Sequence, residues 1–105
     1  MSKPFALIVE DERDHSFLLS TAITLSGYQT EVIHSGDIAM GRLSQVIPDL
    51  VILDLNLPKV LGTEILQHIR TEQRLHQVHV IVVTAFQHLA EVTHSQANHV
   101  LHKPF

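Results

Sequence analysis

The sequence predicts an α/β fold in which a parallel sheet is doubly wound, with helices on both of its faces. Short apolar runs alternate along the chain with segments of helical period, which is the pattern of successive βα units. Three of these runs are continuously apolar, as expected of parallel strands that are covered on both faces. Right-handed crossovers between such strands place helices on both sides of the sheet.

Five segments are predicted to be strands. The continuously apolar runs are FALIV (Phe5–Val9), LVIL (Leu50–Leu53) and VIVV (Val80–Val83). The segment QTEVI (Gln29–Ile33) alternates between polar and apolar residues, which is typical of an edge strand. The fifth and weakest strand signal is HVLH (His99–His102).

Four segments are predicted to be helices. The first is followed by Gly27, a residue suited to a C-terminal cap. The second begins at Ser35 and stops before Pro48, the third follows Gly62, and the fourth spans about Phe86–Thr93 and is only weakly amphipathic. The apolar positions that mark the first three helices are Phe17, Leu18, Thr21, Ala22 and Leu25, then Ile38, Leu43, Val46 and Ile47, then Ile65, Leu66 and Ile69.

Composition limits the classes of function that the chain can serve. A length of 105 residues predicts one domain over residues 1–105. The net charge of -4 and the scattering of seven Lys and Arg residues argue against direct contact with nucleic acid. The first apolar run is too short for a membrane span or a secretory signal, and it ends in acids. Because cysteine is absent as well, we expect a soluble protein of the cytoplasm.

Acidic, hydroxyl and ammonium side chains follow four of the predicted strands. In an open parallel sheet, ligands bind beyond the carboxyl ends of the strands, at the point where the strand order reverses. Each of these residues alone has an ordinary structural interpretation, but their convergence on one edge predicts a functional site. They are Glu10, Asp11 and Glu12 after the first strand, Asp54 after the third, Thr84 after the fourth and Lys103 after the fifth.

The residue types at this edge indicate phosphoryl chemistry. Carboxylates that lie close together in a partly dry site repel one another and require a cation. Oxygen ligands without Cys or His favour Mg²⁺, which binds one or two carboxylates and shares a substrate phosphate. The ammonium of Lys103 and the hydroxyl of Thr84 suit phosphoryl oxygens. Together these parts predict phosphoryl transfer to an aspartate, with Asp54 as the nucleophile.

The segments LIVEDE, PDLVILDLNLP, IVVTA and KPF resemble the motifs of the receiver domain of two-component response regulators. They span nearly the whole chain in the family's order, and the chemotaxis response regulator is the simplest member. The resemblance implies a flavodoxin-like sheet of order 2-1-3-4-5 and a signalling module rather than an enzyme. It also implies that a histidine kinase or a phosphotransfer protein donates a phosphoryl group to Asp54.

The resemblance assigns a role to each residue of the predicted site. Asp11 and Asp54 would bind Mg²⁺ directly, Glu10 through water and Asn56 through its backbone carbonyl. Thr84 and Lys103 would contact the phosphoryl group, and the bond between Lys103 and Pro104 would be cis.

The C-terminal part of the chain departs from the family pattern. Val100 stands where receivers usually carry Tyr or Phe, and the interval from Thr84 to Lys103 is about one helical turn short. Receivers normally continue into a fifth helix after KPF. Without that helix one apolar sheet face is uncovered, so we expect a homodimer through this face or a fragment of a longer protein.

Two alternatives from other classes stay open. A haloacid-dehalogenase-like phosphohydrolase also uses an aspartate nucleophile, but it needs an acid where this chain has Asn56, and it needs a longer chain. A receiver-shaped binding or dimerisation module that does not switch would suit Val100 and the absent helix. A flavodoxin is disfavoured, because the acids Glu10, Asp11 and Glu12 would repel a flavin phosphate.

Nine histidines in so short a chain raise the question of a transition-metal site. His76 and His79, and likewise His99 and His102, have a spacing that suits one face of a helix. In a loop or a strand the members of each pair would point apart. We therefore interpret these residues as surface histidines.

Overall fold

A computed structural model of the chain describes residues 2–104. Strands and helices alternate strictly along the sequence, as the pattern of apolar runs predicts. In chain order the elements are β1 (Phe5–Val9), α1 (Arg13–Leu25), β2 (Gln29–Ile33), α2 (Gly36–Leu43), β3 (Leu50–Asp54), α3 (Gly62–Thr71), β4 (His79–Thr84), α4 (Gln87–Thr93) and β5 (His99–His102).

The sheet is parallel throughout and has the order β2-β1-β3-β4-β5, which confirms the predicted fold class. The chain leaves β1 toward one edge of the sheet and then crosses to the other side of β1 to form β3. Val9 at the end of β1 lies opposite Leu53, and Asp54 lies opposite Val83. The reversal of strand order therefore falls between the carboxyl ends of β1 and β3, next to Asp54.

The two faces of the sheet are covered unequally. On one face, α2 and α3 bury a large core in which Leu43, Ile65 and Ile69 are fully buried. On the other face, α1 packs Leu19 and Ile23 against the smaller core of the central strands. Residues 2–104 contain four helices, so the smaller core has α1 alone as its helical cover.

The face of α1 that meets the sheet is not the apolar stripe that marks this helix in the sequence. Phe17, Leu18 and Leu25 are 73%, 49% and 83% exposed, whereas Leu19 and Ile23 pack against the core. The helix carries two apolar stripes, and periodicity alone does not determine which of them the sheet receives. The apolar positions that mark α1 in the sequence, Phe17 and Leu25 among them, are therefore not the ones that the sheet buries.

Helix α2 is shorter than the sequence predicts, because it ends at Leu43 rather than just before Pro48. The guanidinium of Arg74 donates hydrogen bonds to the carbonyl oxygens of Leu43 and Val46. These bonds satisfy backbone acceptors that a continuing helix would otherwise use. Ile47 is 57% exposed and lies beyond the helix end.

Other boundaries follow the predictions closely. β3 and β4 extend to Asp54 and Thr84, so these two residues are the last residues of their strands. Gly27 has a φ of +101°, in the left-handed region that favours glycine after a helix. α4 is short, as expected, and no helix within residues 2–104 is both long enough and apolar enough to cross a membrane.

Arg70 joins α3 to the loops that precede β4 and β5, at the opposite end of the sheet from Asp54. Its guanidinium donates to the carbonyl oxygens of Val78 and Gln96, both at 2.6 Å, and to Oδ1 of Asn98 at 2.9 Å. The same Asn98 oxygen accepts a hydrogen bond from the backbone of Val80 at 2.7 Å. These bonds fix the short connection between α4 and β5, and hence the position at which β5 enters the sheet.

Candidate functional site

The predicted site residues meet at the carboxyl edge of the sheet, as their positions at the strand ends require. Glu10 follows β1, Asp54 and Thr84 end β3 and β4, and Lys103 follows β5. Glu10, Asp54 and Thr84 are 0%, 3% and 1% exposed, whereas Asp11 is open to solvent. The edge thus combines buried side chains with two exposed acids, Asp11 and Glu12, on its solvent side.

A single ammonium group lies between two buried carboxylates. Lys103 Nζ is 2.9 Å from Oε1 of Glu10 and 3.4 Å from Oδ2 of Asp54. The Lys103–Pro104 peptide bond that precedes the chain end is cis, as the resemblance implies. Because Asp11 adds a third carboxylate, the cluster carries more negative than positive charge when all of its groups are ionised.

Backbone N–H groups hold the two buried carboxylates in place. The amide of Glu12 donates to Oε2 of Glu10 at 3.1 Å, and the amide of Asn56 donates to Oδ1 of Asp54 at 3.0 Å. Each donor lies two residues after its acceptor, where the chain turns away from the strand. The loop conformations that follow β1 and β3 therefore orient the carboxylates as well as connect the elements.

Burial and charge both change the ionisation of this cluster. The pKa of Asp54 is raised, chiefly because burial disfavours the carboxylate; the Asn56 amide opposes this effect and Glu10 adds to it. For Lys103, burial acts to lower the pKa, but hydrogen bonds and charge from Glu10 and Asp54 outweigh it, so the pKa is raised. The site therefore favours the charged form of Lys103 and disfavours the ionised form of Asp54.

The acids fit a hard divalent cation. One oxygen each of Glu10, Asp11 and Asp54 lies within 4.8 Å of the other two. Although Oε1 of Glu10 is close to the Lys103 ammonium, it is buried and accepts no hydrogen bond of normal geometry. An all-oxygen donor set with spare acceptor capacity matches the preference of Mg²⁺ for one or two carboxylates plus water.

A cavity of about 260 Å³ opens above Asp54, and some of its lining was not anticipated from the sequence. Asp11, Asn56 and Lys103 line it, as expected, but so do Ala85 and Phe86. The signal for these two was their position directly after β4, where the loop must border the same edge.

Thr84 reaches the site less directly than predicted. It is not among the residues that line the cavity, and its hydroxyl accepts a hydrogen bond from the amide of Phe86 at 3.1 Å. Its carbonyl oxygen accepts from the Lys103 amide at 2.9 Å, which ties the end of β4 to the residue that carries the ammonium.

Two close backbone approaches hold the loop between β3 and α3. A Cβ on Gly62 would lie 2.4 Å from the carbonyl oxygen of Asp54 and from Cα of Leu55. A Cβ on Gly36 would lie 2.1 Å from the carbonyl oxygen of Val60. Only glycine allows the N-termini of α3 and α2 to pack this tightly, so the loop that contains Asn56 is held from both sides.

Comparisons with known proteins agree with this geometry. A family model described as the response regulator receiver domain matches residues 6–105. Over 80 residues the chain is 36% identical to the polar-differentiation response regulator DivK of Brucella ovis, covering 76% of this chain and 65% of DivK. The chain thus spans less than two thirds of the length of these curated relatives.

Solved structures show the same fold. The chemotaxis response regulator CheY4 of Vibrio cholerae has a TM-score of 0.89 at 21% identity, over 99% of this chain and 89% of that one. The response regulator TrrA of Thermotoga maritima, solved in complex with Mg²⁺ and BeF, has a TM-score of 0.84 at 27% identity, over 97% of this chain and 88% of that one.

The sheet order and the carboxylate–lysine cluster at its switch point define a doubly wound α/β domain of the receiver type. The family match covers nearly all of the chain, so the chain belongs to the receiver domain family of two-component response regulators. Receiver domains are signalling modules and are generally not classed as enzymes.

We expect Gly62→Ala to disturb the backbone that carries Asp54. The new methyl group would overlap the backbone at Asp54 and Leu55, so the free energy of unfolding should fall by about 1–3 kcal/mol in urea denaturation. Gly41→Ala is the matched control, because a Cβ there meets nothing within 4 Å and Ala is the better helix former. Equal stabilities of the two variants would contradict the close approach.

Proposed function

We propose that this chain is the phosphoacceptor of a two-component phosphorelay. In this role Asp54 takes a phosphoryl group from the phosphohistidine of a histidine kinase or a phosphotransfer protein. The observation that carries the proposal is the buried Asp54 carboxylate, which ends a rigid central strand within 3.4 Å of the Lys103 ammonium. Membership of the receiver family supports a phosphohistidine as the phosphoryl donor. The absence of cysteine is consistent with a reducing cytoplasmic location.

The transfer exchanges one bond to phosphorus for another. A carboxylate oxygen of Asp54 bonds to phosphorus as the bond to the donor imidazole nitrogen breaks, and that nitrogen keeps the electron pair. The Lys103 ammonium then lies next to the phosphoryl oxygens, whose charge it offsets. The Thr84 hydroxyl accepts a hydrogen bond from Phe86, and its own proton is available for donation to a phosphoryl oxygen.

The residues present also fit a bound Mg²⁺. Asp11 and Asp54 would hold it directly, Glu10 through water and Asn56 through its backbone carbonyl. When bound, the ion neutralises charge on the carboxylates and on the phosphoryl oxygens. A relative of the same fold, TrrA, was solved with Mg²⁺, which supports this choice of ion.

Asn56 disfavours the phosphohydrolase alternative. It lines the cavity above Asp54 but carries no acidic proton for a leaving group. The alternative of a binding module that does not switch predicts a different outcome, because such a module would leave Asp54 unmodified.

Incubation with acetyl phosphate and Mg²⁺ tests the chemistry directly. We expect intact-mass measurement to detect one phosphoryl adduct on the unmodified chain and none on Asp54→Asn. Asp49→Asn is the control, since it removes an acid at the opposite end of β3 and should leave the adduct unchanged. An adduct that persists in Asp54→Asn would assign the modification to another residue and overturn the proposal.

Mg²⁺ should stabilise the fold by ordinary linkage. At a concentration 100 times its Kd, binding adds about 2.7 kcal/mol to the free energy of unfolding, which thermal unfolding records as a higher melting temperature. Asp11→Asn should lose most of this rise. Asp14→Asn, which makes the same charge change on exposed α1, should retain it. A melting temperature that does not change when Mg²⁺ is added would contradict the proposed cation site.

The thinly covered sheet face suggests an additional property of this chain, a homodimer. Leu18 and Leu25 of α1 are exposed, and so is Leu101 of β5. Leu101 lies opposite Val83, which belongs to the smaller core that α1 covers. We propose that a second copy of the chain packs against this surface, because burial of exposed leucines is favourable.

Light scattering over a range of concentrations tests the homodimer. We expect the unmodified chain to associate and Leu18→Glu to reduce the association. Ile38→Glu is the control, since Ile38 is 60% exposed on α2, at the other face of the sheet. A stable monomer at high concentration would refute the dimer while leaving the phosphoryl chemistry of Asp54 untouched.

A further inference from the structure

Two histidines from different strands form a pair that the sequence spacing does not suggest. The ring centroids of His79 and His99 lie 5.5 Å apart, with the ring planes tilted by 45°. In the sheet, His99 of β5 lies opposite Ile81 of β4. Because Ile81 is two residues after His79 in the same strand, the two histidines are diagonal neighbours on one face of the sheet. Both side chains are exposed.

This separation is compatible with a shared metal ion. Zinc–imidazole bonds are about 2.0–2.1 Å long, and two imidazoles on one tetrahedral ion have ring centroids roughly 5 Å apart. The observed 5.5 Å therefore needs only a small adjustment of exposed side chains. Imidazole nitrogens bind Zn²⁺, Ni²⁺ and Cu²⁺ well and Mg²⁺ poorly, so the pair selects a different class of ion from the carboxylate cluster.

We propose that His79 and His99 form a two-histidine binding site for a divalent transition-metal ion such as Zn²⁺. Water completes the coordination, since the described residues 2–104 contain no three-residue group of possible ligands other than Glu10, Asp11 and Asp54. The site lies at the amino ends of β4 and β5, at the far end of both strands from the phosphoacceptor.

A bound ion would link β5 to the rest of the sheet. β5 has four residues, is an edge strand, and pairs with β4 alone. Its far end leads directly to Lys103, which supplies the ammonium of the acidic cluster. An ion held by one histidine from each strand therefore stabilises the strand that positions Lys103.

Thermal unfolding with Zn²⁺ in the presence of excess Mg²⁺ tests the site, because Mg²⁺ occupies the carboxylates without competing for imidazole. We expect Zn²⁺ to raise the melting temperature of the unmodified chain. His79→Gln and His99→Gln should each weaken Zn²⁺ binding by about tenfold or more, and the double variant should lose the shift. The matched control, His76→Gln with His88→Gln, also removes two exposed imidazoles and should retain the shift.

Substoichiometric Cu²⁺ provides a second measurement on the unmodified chain. Its paramagnetism should broaden the ring NMR signals of His79 and His99 together, before those of the other seven histidines. Equal broadening of all nine would overturn the proposal, as would a Zn²⁺ shift that survives in the double variant. At protein concentrations where light scattering shows a monomer, a Zn²⁺ shift that depends on protein concentration would indicate an ion shared between two chains and would refute the site within one chain.

Discussion

The placement of one lysine between two buried carboxylates is the constraint on which the functional edge of this domain depends. Glu10 and Asp54 are almost fully shielded from water, and Lys103 is the cation that contacts both. Buried charges are tolerated only when they are paired and hydrogen-bonded, and here one backbone amide also donates to each of the two carboxylates. The pairing is incomplete in charge, because Asp11 adds a further acid at the mouth. The edge therefore combines paired buried charges with an excess of acidic groups.

The direction of the strands in the parallel sheet brings these residues together. β1, β3 and β5 run in the same direction, so residues distant in sequence arrive at one edge together. Close packing at Gly62 holds the turn after Asp54 against the strand end, and the Lys103 amide bonds to the carbonyl of Thr84. The Asp54 carboxylate is thus positioned largely by backbone contacts, with the Asn56 amide on Oδ1 and the Lys103 ammonium near Oδ2.

The sequence predicted the fold and the acidic cluster well, because both depend on where strands end. Apolar runs mark strands, and the residues after them must lie at the same edge of a parallel sheet. The exposed stripe of α1 and the early end of α2 were missed, since both depend on tertiary partners. The choice of stripe reflects which side of α1 the sheet receives, and the end of α2 reflects hydrogen bonds from Arg74. The pairing of His79 with His99 likewise needs the β4–β5 register, which sequence spacing does not contain.

The two ends of β5 are tied to different parts of the fold. Lys103, beyond the carboxyl end, belongs to the charge cluster, whereas the connection before the strand is held by Asn98 and Arg70. Between them the small side chain of Val100 packs against the larger core. Asp54 is therefore linked to β5 through the ammonium of Lys103, which follows that strand. Under the proposed function, charge added at Asp54 acts first on this ammonium, and so on the edge strand that carries it.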